Sequence, residues 1–142
     1  MSMTDGFYTM KGYSRLSDGE LTTAMEDYLE MIARLCQRGT AVRVVDLSAQ
    51  LHVKASSVTK MIQQLAQAGL VLAPKYAEIS LTEQGAALGG YLLHRHRVLQ
   101  EFLCLLNGTQ TELEQVEKIE HFLNEQTIRN LELLTQRLRA DA

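Results

Sequence analysis

The chain of 142 residues has no tryptophan, one proline (Pro74) and two cysteines. Cys36 and Cys104 stand far apart and form no CxxC pair. That removes thiolate zinc ribbons and dithiol redox motifs. Both cysteines lie in apolar helical stretches, and buried free thiols fit a reducing compartment. No apolar run reaches the roughly 18 residues that cross a bilayer, so no membrane partner is expected. Residues 1–20 contain no apolar core of a secretory signal, and a cytoplasmic location is expected. Strand-like stretches are few, which predicts a mostly α protein. Excess charge of one sign is also missing: 14 Lys and Arg face 17 Asp and Glu, a net of -3. Taken as an average, this argues against a uniformly basic nucleic-acid binder.

What is present is an ordinary globular composition, 46% hydrophobic and 22% charged, enough for one compact domain or two small parts. The average charge conceals a gradient. Residues 41–76 carry Arg43, Lys54, Lys60 and Lys75 against Asp46 alone, a net of +3. Residues 1–40 have a net of -2 and residues 100–142 a net of -4. A mildly basic middle is flanked by two acidic segments.

The first twenty residues are polar and aperiodic and read as a flexible tail. Thr23 and Glu26 form a capping box that opens a helix ending at Gly39. Met25, Tyr28, Leu29, Ile32 and Leu35 recur there at helical spacing. Val44, Leu47 and Leu51 mark a short helix, residues 53–55 a tight break, and Val58, Met61, Ile62 and Leu65 a second short helix stopped by Gly69. This is the helix-turn-helix pattern. Residues 71–82 read as a hairpin, with Leu70, Leu72, Ile79 and Leu81 in strand alternation, so the pair of helices carries a wing. Thr82 caps a long helix over about 83–106, where the glycines at 89 and 90 suggest a kink. Thr111 and Glu114 form a second capping box for a helix over 112–123. Asn124 caps a last helix, 125–139, with Ile128, Leu131, Leu134 and Leu138 on one face.

Two constellations carry chemistry. On the first helix Asp27 and Glu30 share a face at spacing i,i+3; on the fifth, Glu117, Glu120 and His121 do so at i, i+3 and i+4. His94 and His96 are two apart on the long helix and point in different directions, so at most one joins a given site. Four carboxylates with one or two imidazoles suit a hard or borderline cation such as Mn(II) or Fe(II), not a thiophilic one. Each pair alone is an ordinary solvated helix face. The second constellation is the outer face of the second short helix: Lys54, Ser56, Ser57, Thr59, Lys60 and Gln63. Lysines and hydroxyls contact phosphates, and Ser, Thr and Gln also reach base edges in a major groove. Lys75 and Tyr76 of the hairpin extend this DNA-binding set.

Several segments together resemble the DtxR/MntR family of metal-dependent transcriptional repressors. They are MEDYLE at 25–30, DLSAQLHV at 46–53, SSVTKM at 56–61, KYAEISLT at 75–82, HRVLQEFL at 96–103 and VEKIEHFL at 116–123. They stand in the family's order and spacing from about residue 22 to 139. The resemblance implies a winged helix-turn-helix DNA-binding domain (21–82) followed by a helical dimerisation and metal-binding domain (83–142). It implies metal ligands at Asp27, Glu30, His96, Glu117, Glu120 and His121, with His96 preferred to His94. All six match the manganese-responsive MntR branch. The iron-responsive branch has methionine and cysteine where this chain has Asp27 and Glu120, and an added SH3-like domain that this chain is too short to hold. In the implied arrangement one ion takes Asp27, Glu30, His96, Glu120 and the carbonyl of Glu117. The other takes Glu30, Glu117, Glu120 and His121, with Glu30 and Glu120 bridging.

The resemblance therefore implies a manganese-responsive repressor of metal-uptake genes. It would bind two Mn(II) per chain, with Fe(II), Cd(II) or Zn(II) as substitutes. It would act as a homodimer on a palindromic operator in double-stranded DNA. The sequence departs from the family at Ala77, where an arginine is frequent, at Glu78 in place of glycine, and at Ala55 in place of proline. The alternative is a metal-independent winged-helix regulator answering a small-molecule ligand in an apolar cleft. A di-metal carboxylate enzyme is disfavoured because that bundle site wants two Glu-x-x-His motifs and the chain has none.

Overall fold

The computed structural model describes residues 21–141, so the tail expected over 1–20 lies outside the described residues. The chain folds as two compact units, divided between Leu92 and Leu93.

The first unit opens with α1, Thr23–Gln37. Its N-cap is Thr22, whose hydroxyl accepts from the Met25 N–H at 3.1 Å. Thr23, the expected cap, is already the first helical residue. Starting one residue earlier puts Met25 where the acid of a capping box would stand, so Glu26 is freed from capping and is buried. The predicted stripe of Met25, Tyr28, Leu29, Ile32 and Leu35 is buried throughout. Gly39, at φ +75°, turns the chain out of the helix, a conformation glycine adopts without a Cβ clash.

α2 (Val44–Leu51) and α3 (Ala55–Gln67) form the helix-turn-helix. The Asp46 carboxylate accepts from the Arg43 N–H at 2.9 Å and closes the start of α2. His52 takes the left-handed conformation (φ 57°, ψ 46°) that makes the break tight. Val58, Ile62 and Leu65 point into the core and leave the rest of α3 to solvent.

The wing is shorter than the alternation predicts. β1 (Val71–Leu72) and β2 (Ser80–Leu81) pair antiparallel, Val71 with Leu81 and Leu72 with Ser80. Leu70 and Val71 are buried and Leu72 is 56% exposed, so Leu70 and Leu72 do not share a face. The reason is local: Leu70 still belongs to the close of α3, donating its N–H to the Leu65 carbonyl after Gly69 at φ +79°. The strand period therefore starts at Val71. Ile79 is tied down by its N–H to the Val42 carbonyl at 2.8 Å. The turn between is closed from the Ala77 N–H to the Pro74 carbonyl, with Tyr76 at φ 61°.

α4 runs Glu83–Asn107, and the division of the units falls inside it. Thr82 caps it as predicted, accepting from the Gly85 N–H at 2.9 Å and donating to the Gly69 carbonyl at 2.7 Å. The glycine pair does not break the helix. A Cβ on Gly89 would lie 2.8 Å from the Ala33 Cβ, so this glycine lets α4 approach α1 closely. Leu29, Ile32, Leu47, Val58, Leu65, Leu70 and Leu92 are the centre of this unit's core.

The second unit comprises the rest of α4, α5 (Leu113–Ile119), a 3-10 turn (Glu120–Phe122) and α6 (Glu125–Ala140). Its core is Val98, Leu99, Leu103, Val116 and Ile128. The predicted box of Thr111 and Glu114 does not form. The Thr111 hydroxyl meets Gln100, and Glu114 is exposed beside Lys118. Glu112 organises the loop instead, accepting from Thr109 at 2.7 Å and Asn107 at 3.1 Å. Those donors hold its carboxyl below the usual carboxylate range. The fifth helix ends at Ile119 rather than 123, and the chain tightens into the 3-10 turn that carries Glu120 and His121. Asn124 caps α6 as predicted, accepting from the Thr127 N–H at 2.9 Å.

Only part of the predicted α6 stripe is internal. Ile128 is buried and Leu131 packs on the core, whereas Leu133, Leu134 and Leu138 are exposed. Leu105, Leu106 and Leu113 are exposed as well, so this unit presents apolar surface. Cys36 is exposed and Cys104 half-buried, against the expectation that both are buried.

Candidate metal centre and nucleic-acid interface

In the first unit, every member of the predicted face of α3 is solvent-exposed: Lys54, Ser56, Ser57, Thr59, Lys60 and Gln63. Val58, Ile62 and Leu65 take the core side, and helical geometry aims the polar positions outward. The Thr59 hydroxyl donates to the Ala55 carbonyl at 3.1 Å, so its oxygen faces outward as an acceptor. Between α3 and the wing lies a groove of 510 Å³ whose lining includes Thr59, Gln63, Lys75 and Tyr76. Tyr76 is 94% exposed, with the Lys75 ammonium 5.8 Å from its ring centre. Arg43 also lines the groove and was missed as a site residue. Its signal was its place directly before α2 in the basic segment.

The acidic pair of the first unit lies on α1. Asp27 is exposed and Glu30 buried, and the Arg34 guanidinium meets Glu30 Oε2 at 3.0 Å. In the second unit, His96 from α4 and Glu120 from the 3-10 turn come together, Nδ1 to Oε1 at 3.3 Å. Glu120 is only 2% exposed. His121 adjoins it, with its Nδ1 3.4 Å from Arg95 Nη2. Glu117, on α5, is exposed. His94 is engaged elsewhere, with Glu132 at 3.3 Å and Arg97 at 3.0 Å.

Two buried charges were missed, Glu26 and Arg95. Arg95 had a signal: Leu88, Leu92, Arg95, Leu99 and Leu103 form one helical stripe, and the arginine occupies a core position in it.

A buried carboxylate touching an imidazole is costly unless something positive joins it. Oxygen and nitrogen donors without thiolate suit Mn(II), Fe(II) or Zn(II), so the residues present fit a divalent cation. A winged helix-turn-helix followed by such a unit defines a class of protein, the metal-responsive DNA-binding regulator.

Comparison with known proteins gives the family. Residues 20–79 match the iron dependent repressor N-terminal DNA-binding domain, and residues 82–142 match the iron dependent repressor metal-binding and dimerisation domain. The chain is 36% identical over 121 residues to the HTH-type transcriptional regulator MntR of Bacillus subtilis, covering 84% of this chain and 85% of that one. The regulator of the same name from Geobacillus kaustophilus is also 36% identical, with 84% and 86% covered. Among solved structures, the manganese regulator SloR superposes with a TM-score of 0.70 at 27% identity. ScaR with bound Zn2+ gives 0.65 at 29%. Each covers 79% of this chain, which spans only about half (53%) of those solved chains. The chain belongs to the iron dependent repressor family. It is a metal-responsive transcriptional regulator with DNA and a second copy of itself as partners, and not an enzyme.

Proposed function

We propose that this chain represses metal-uptake genes in response to Mn(II), binding two ions per chain and a palindromic operator as a homodimer. The reading assigns DNA contact to residues 21–82 and dimerisation, with most of the metal donors, to residues 83–142. The observation that carries it is the buried Glu120 carboxylate against His96, in a chain whose relatives include manganese regulators.

The proposed ligands are Asp27, Glu30, His96, Glu117, Glu120 and His121. Glu30 and Glu120 are the shared pair. The bound cations would supply the positive charge that lets these carboxylates be held together. Without it, the four acids repel one another and α1 is unrestrained by them. His96 Nδ1 lies 3.3 Å from Glu120 Oε1, so an imidazole and a carboxylate of the proposed set already face each other. Arg34 meets Glu30 Oε2 at 3.0 Å. α1 packs on α2 and α3 through Leu29, Ile32, Leu47 and Val58, so restraining α1 restrains the recognition helix. Lys54, Lys60 and Lys75 then serve as phosphate contacts, and Ser56, Ser57, Thr59, Gln63 and Tyr76 meet the DNA grooves. Because metal favours the DNA-competent state, DNA must tighten metal binding by the same factor.

The test is operator binding by the full chain with Mn(II), with Zn(II) and with chelator. Tighter binding with Mn(II) than with chelator is expected, and Glu30→Ala should abolish the difference. Equal affinity in all three conditions would overturn the proposal.

A further inference from the structure

Among the described residues, His52 and Tyr76 hold a positive φ without being glycine. His52 does so to close the tight break between α2 and α3. At Tyr76 the turn demands the conformation but not the side chain. Tyr76 is the third residue of the turn closed by the Ala77 N–H on the Pro74 carbonyl, a position where a positive φ favours glycine. A tyrosine there is strained, and its ring recovers little by burial, being 94% exposed. The nearby charge is that of Lys75 on the same turn, 5.8 Å from the ring centre. The place of the ring relative to α3 supplies a reason for it. The groove of 510 Å³ separates the polar face of α3 from the wing tip, with Thr59 and Gln63 on the helix side and Lys75 and Tyr76 on the wing side. Arg43 and Lys75 make this groove positive, and Pro74 is part of its apolar lining. In B-DNA a strand of sugar and phosphate divides the major groove from the minor groove. With α3 in the major groove, that strand fits the charge and the apolar lining beside it. What stands beyond the strand meets the adjoining minor groove.

We infer that Tyr76 is a specificity-determining residue that reads the minor groove at the flank of each half-site. The intervening strand lies between α3 and the wing, and Arg43 and Lys75 meet its phosphates. The floor of the minor groove at an A·T pair offers acceptors alone, whereas guanine projects its 2-amino group into that space. The phenol hydroxyl donates to adenine N3 or thymine O2, and the ring occupies the room that the amino group would take. Tyr76 therefore favours A·T at a step that the side chains of α3 do not reach. The strain at the turn is kept because the ring serves outside the fold. The inference rests on the reading of α3 as the recognition helix of an operator-binding regulator.

In the test, the Mn(II)-loaded full-length dimer first selects duplexes from a randomised pool. Adenines of a selected duplex are then replaced in turn by diaminopurine, which adds the minor-groove amino group and leaves the major-groove edge unchanged. At one flanking step the replacement should weaken binding about fivefold, the low end for one base pair, and about thirtyfold when both half-sites carry it. Tyr76→Gly should lose about thirtyfold on the unmodified duplex at an unchanged salt slope, and should be indifferent to the amino group. Lys75→Ala should instead lower the slope, as a phosphate contact does. Tyr76→Gly should melt at the temperature of the unsubstituted chain or a few degrees higher, since glycine relieves the turn. A lower melting temperature would make the ring part of the fold and overturn the proposal. Full affinity of Tyr76→Gly, or an undiminished response to diaminopurine at that step, overturns it as well. Those failures leave the regulator reading in place, whereas Mn(II)-loaded protein that selects no sequence overturns both.

Discussion

The glycine at position 89 permits a sharp comparison with its neighbour. A methyl group on Gly89 would sit 2.8 Å from the Ala33 Cβ and 3.6 Å from the Leu29 carbonyl oxygen. Two methyl carbons pack at about 3.5–4.0 Å, so α1 and α4 would have to part by roughly 1 Å or distort. Neither atom belongs to a flexible side-chain end that can swing away. At Gly90 an added Cβ meets nothing within 4 Å. Both substitutions to alanine gain the same helix propensity, about 1 kcal/mol. Their difference therefore isolates the steric cost, about 1–3 kcal/mol for overpacking a tight contact. Gly90→Ala should stabilise the metal-free protein by up to about 1 kcal/mol. Gly89→Ala should be neutral to about 2 kcal/mol destabilising, the overpacking cost less the propensity gain. Urea denaturation followed by circular dichroism measures both. Ala33 is one turn beyond Glu30 on α1, so Gly89→Ala should also weaken Mn(II) binding while Gly90→Ala leaves it alone. If Gly89→Ala is as stable as Gly90→Ala, the close approach of α1 and α4 is wrong.

Three further outcomes are expected. Lys60→Ala should weaken operator binding evenly across sequences and lower the salt slope by about one unit, whereas Gln63→Ala should alter sequence preference at an unchanged slope; salt-dependent binding isotherms separate the two. Burial pushes the Glu125 carboxyl up, with Arg129 at 3.6 Å pulling partly the other way. A raised folded-state value means that ionising this group costs stability, and the cost appears as pH rises through and above the ordinary carboxylate range. Glu125→Gln should therefore gain on the unsubstituted chain from acid to neutral pH in thermal melts, and a constant difference across pH would refute the assignment. Leu134 and Leu138 are 37% and 42% exposed, and replacing both with Glu should remove on the order of 1 kcal/mol or more each from self-association. Sedimentation equilibrium should show monomer, and an unchanged dimer would place the interface elsewhere.

Legibility in the sequence followed periodicity. The stripes of α1 and α3 were readable because their apolar members recur at helical spacing, although α1 also buries Glu26 and Glu30. The α6 stripe misled because its distal leucines are exposed, while the buried Thr135 satisfies itself by donating to the Leu131 carbonyl at 2.8 Å. Caps were readable where one hydroxyl or amide competes for the end, as at Thr82 and Asn124. They failed where two candidates adjoin, as at Thr22 and Thr23, because a shift of one residue costs nothing in pattern. The wing was readable, but its alternation failed at Leu70 because four paired residues are too few to outweigh the close of the preceding helix. Within the candidate site, residue types and spacing proposed the donors, and the structure brings His96 of that set against Glu120. Arg95 escaped because a charged residue in an apolar stripe looks like an interruption of the pattern.

The overall acidity and the DNA-binding face concern different parts of the chain. The excess negative charge belongs largely to α1 and to residues 100–142, and four of those acids are proposed ligands. Two divalent ions would take the chain from -3 to about +1 before any proton is released. The groups that would meet phosphate are Arg43, Lys54, Lys60 and Lys75, in a segment with a net of +3 whether metal is bound or not. Across a screening length of about 8 Å at physiological salt, that local charge governs phosphate contact more than the distant average does. Metal is then not needed to make the face basic. Its work is to bias which arrangement of an already basic face is populated, so the effect on DNA is limited by the difference in metal affinity between the arrangements.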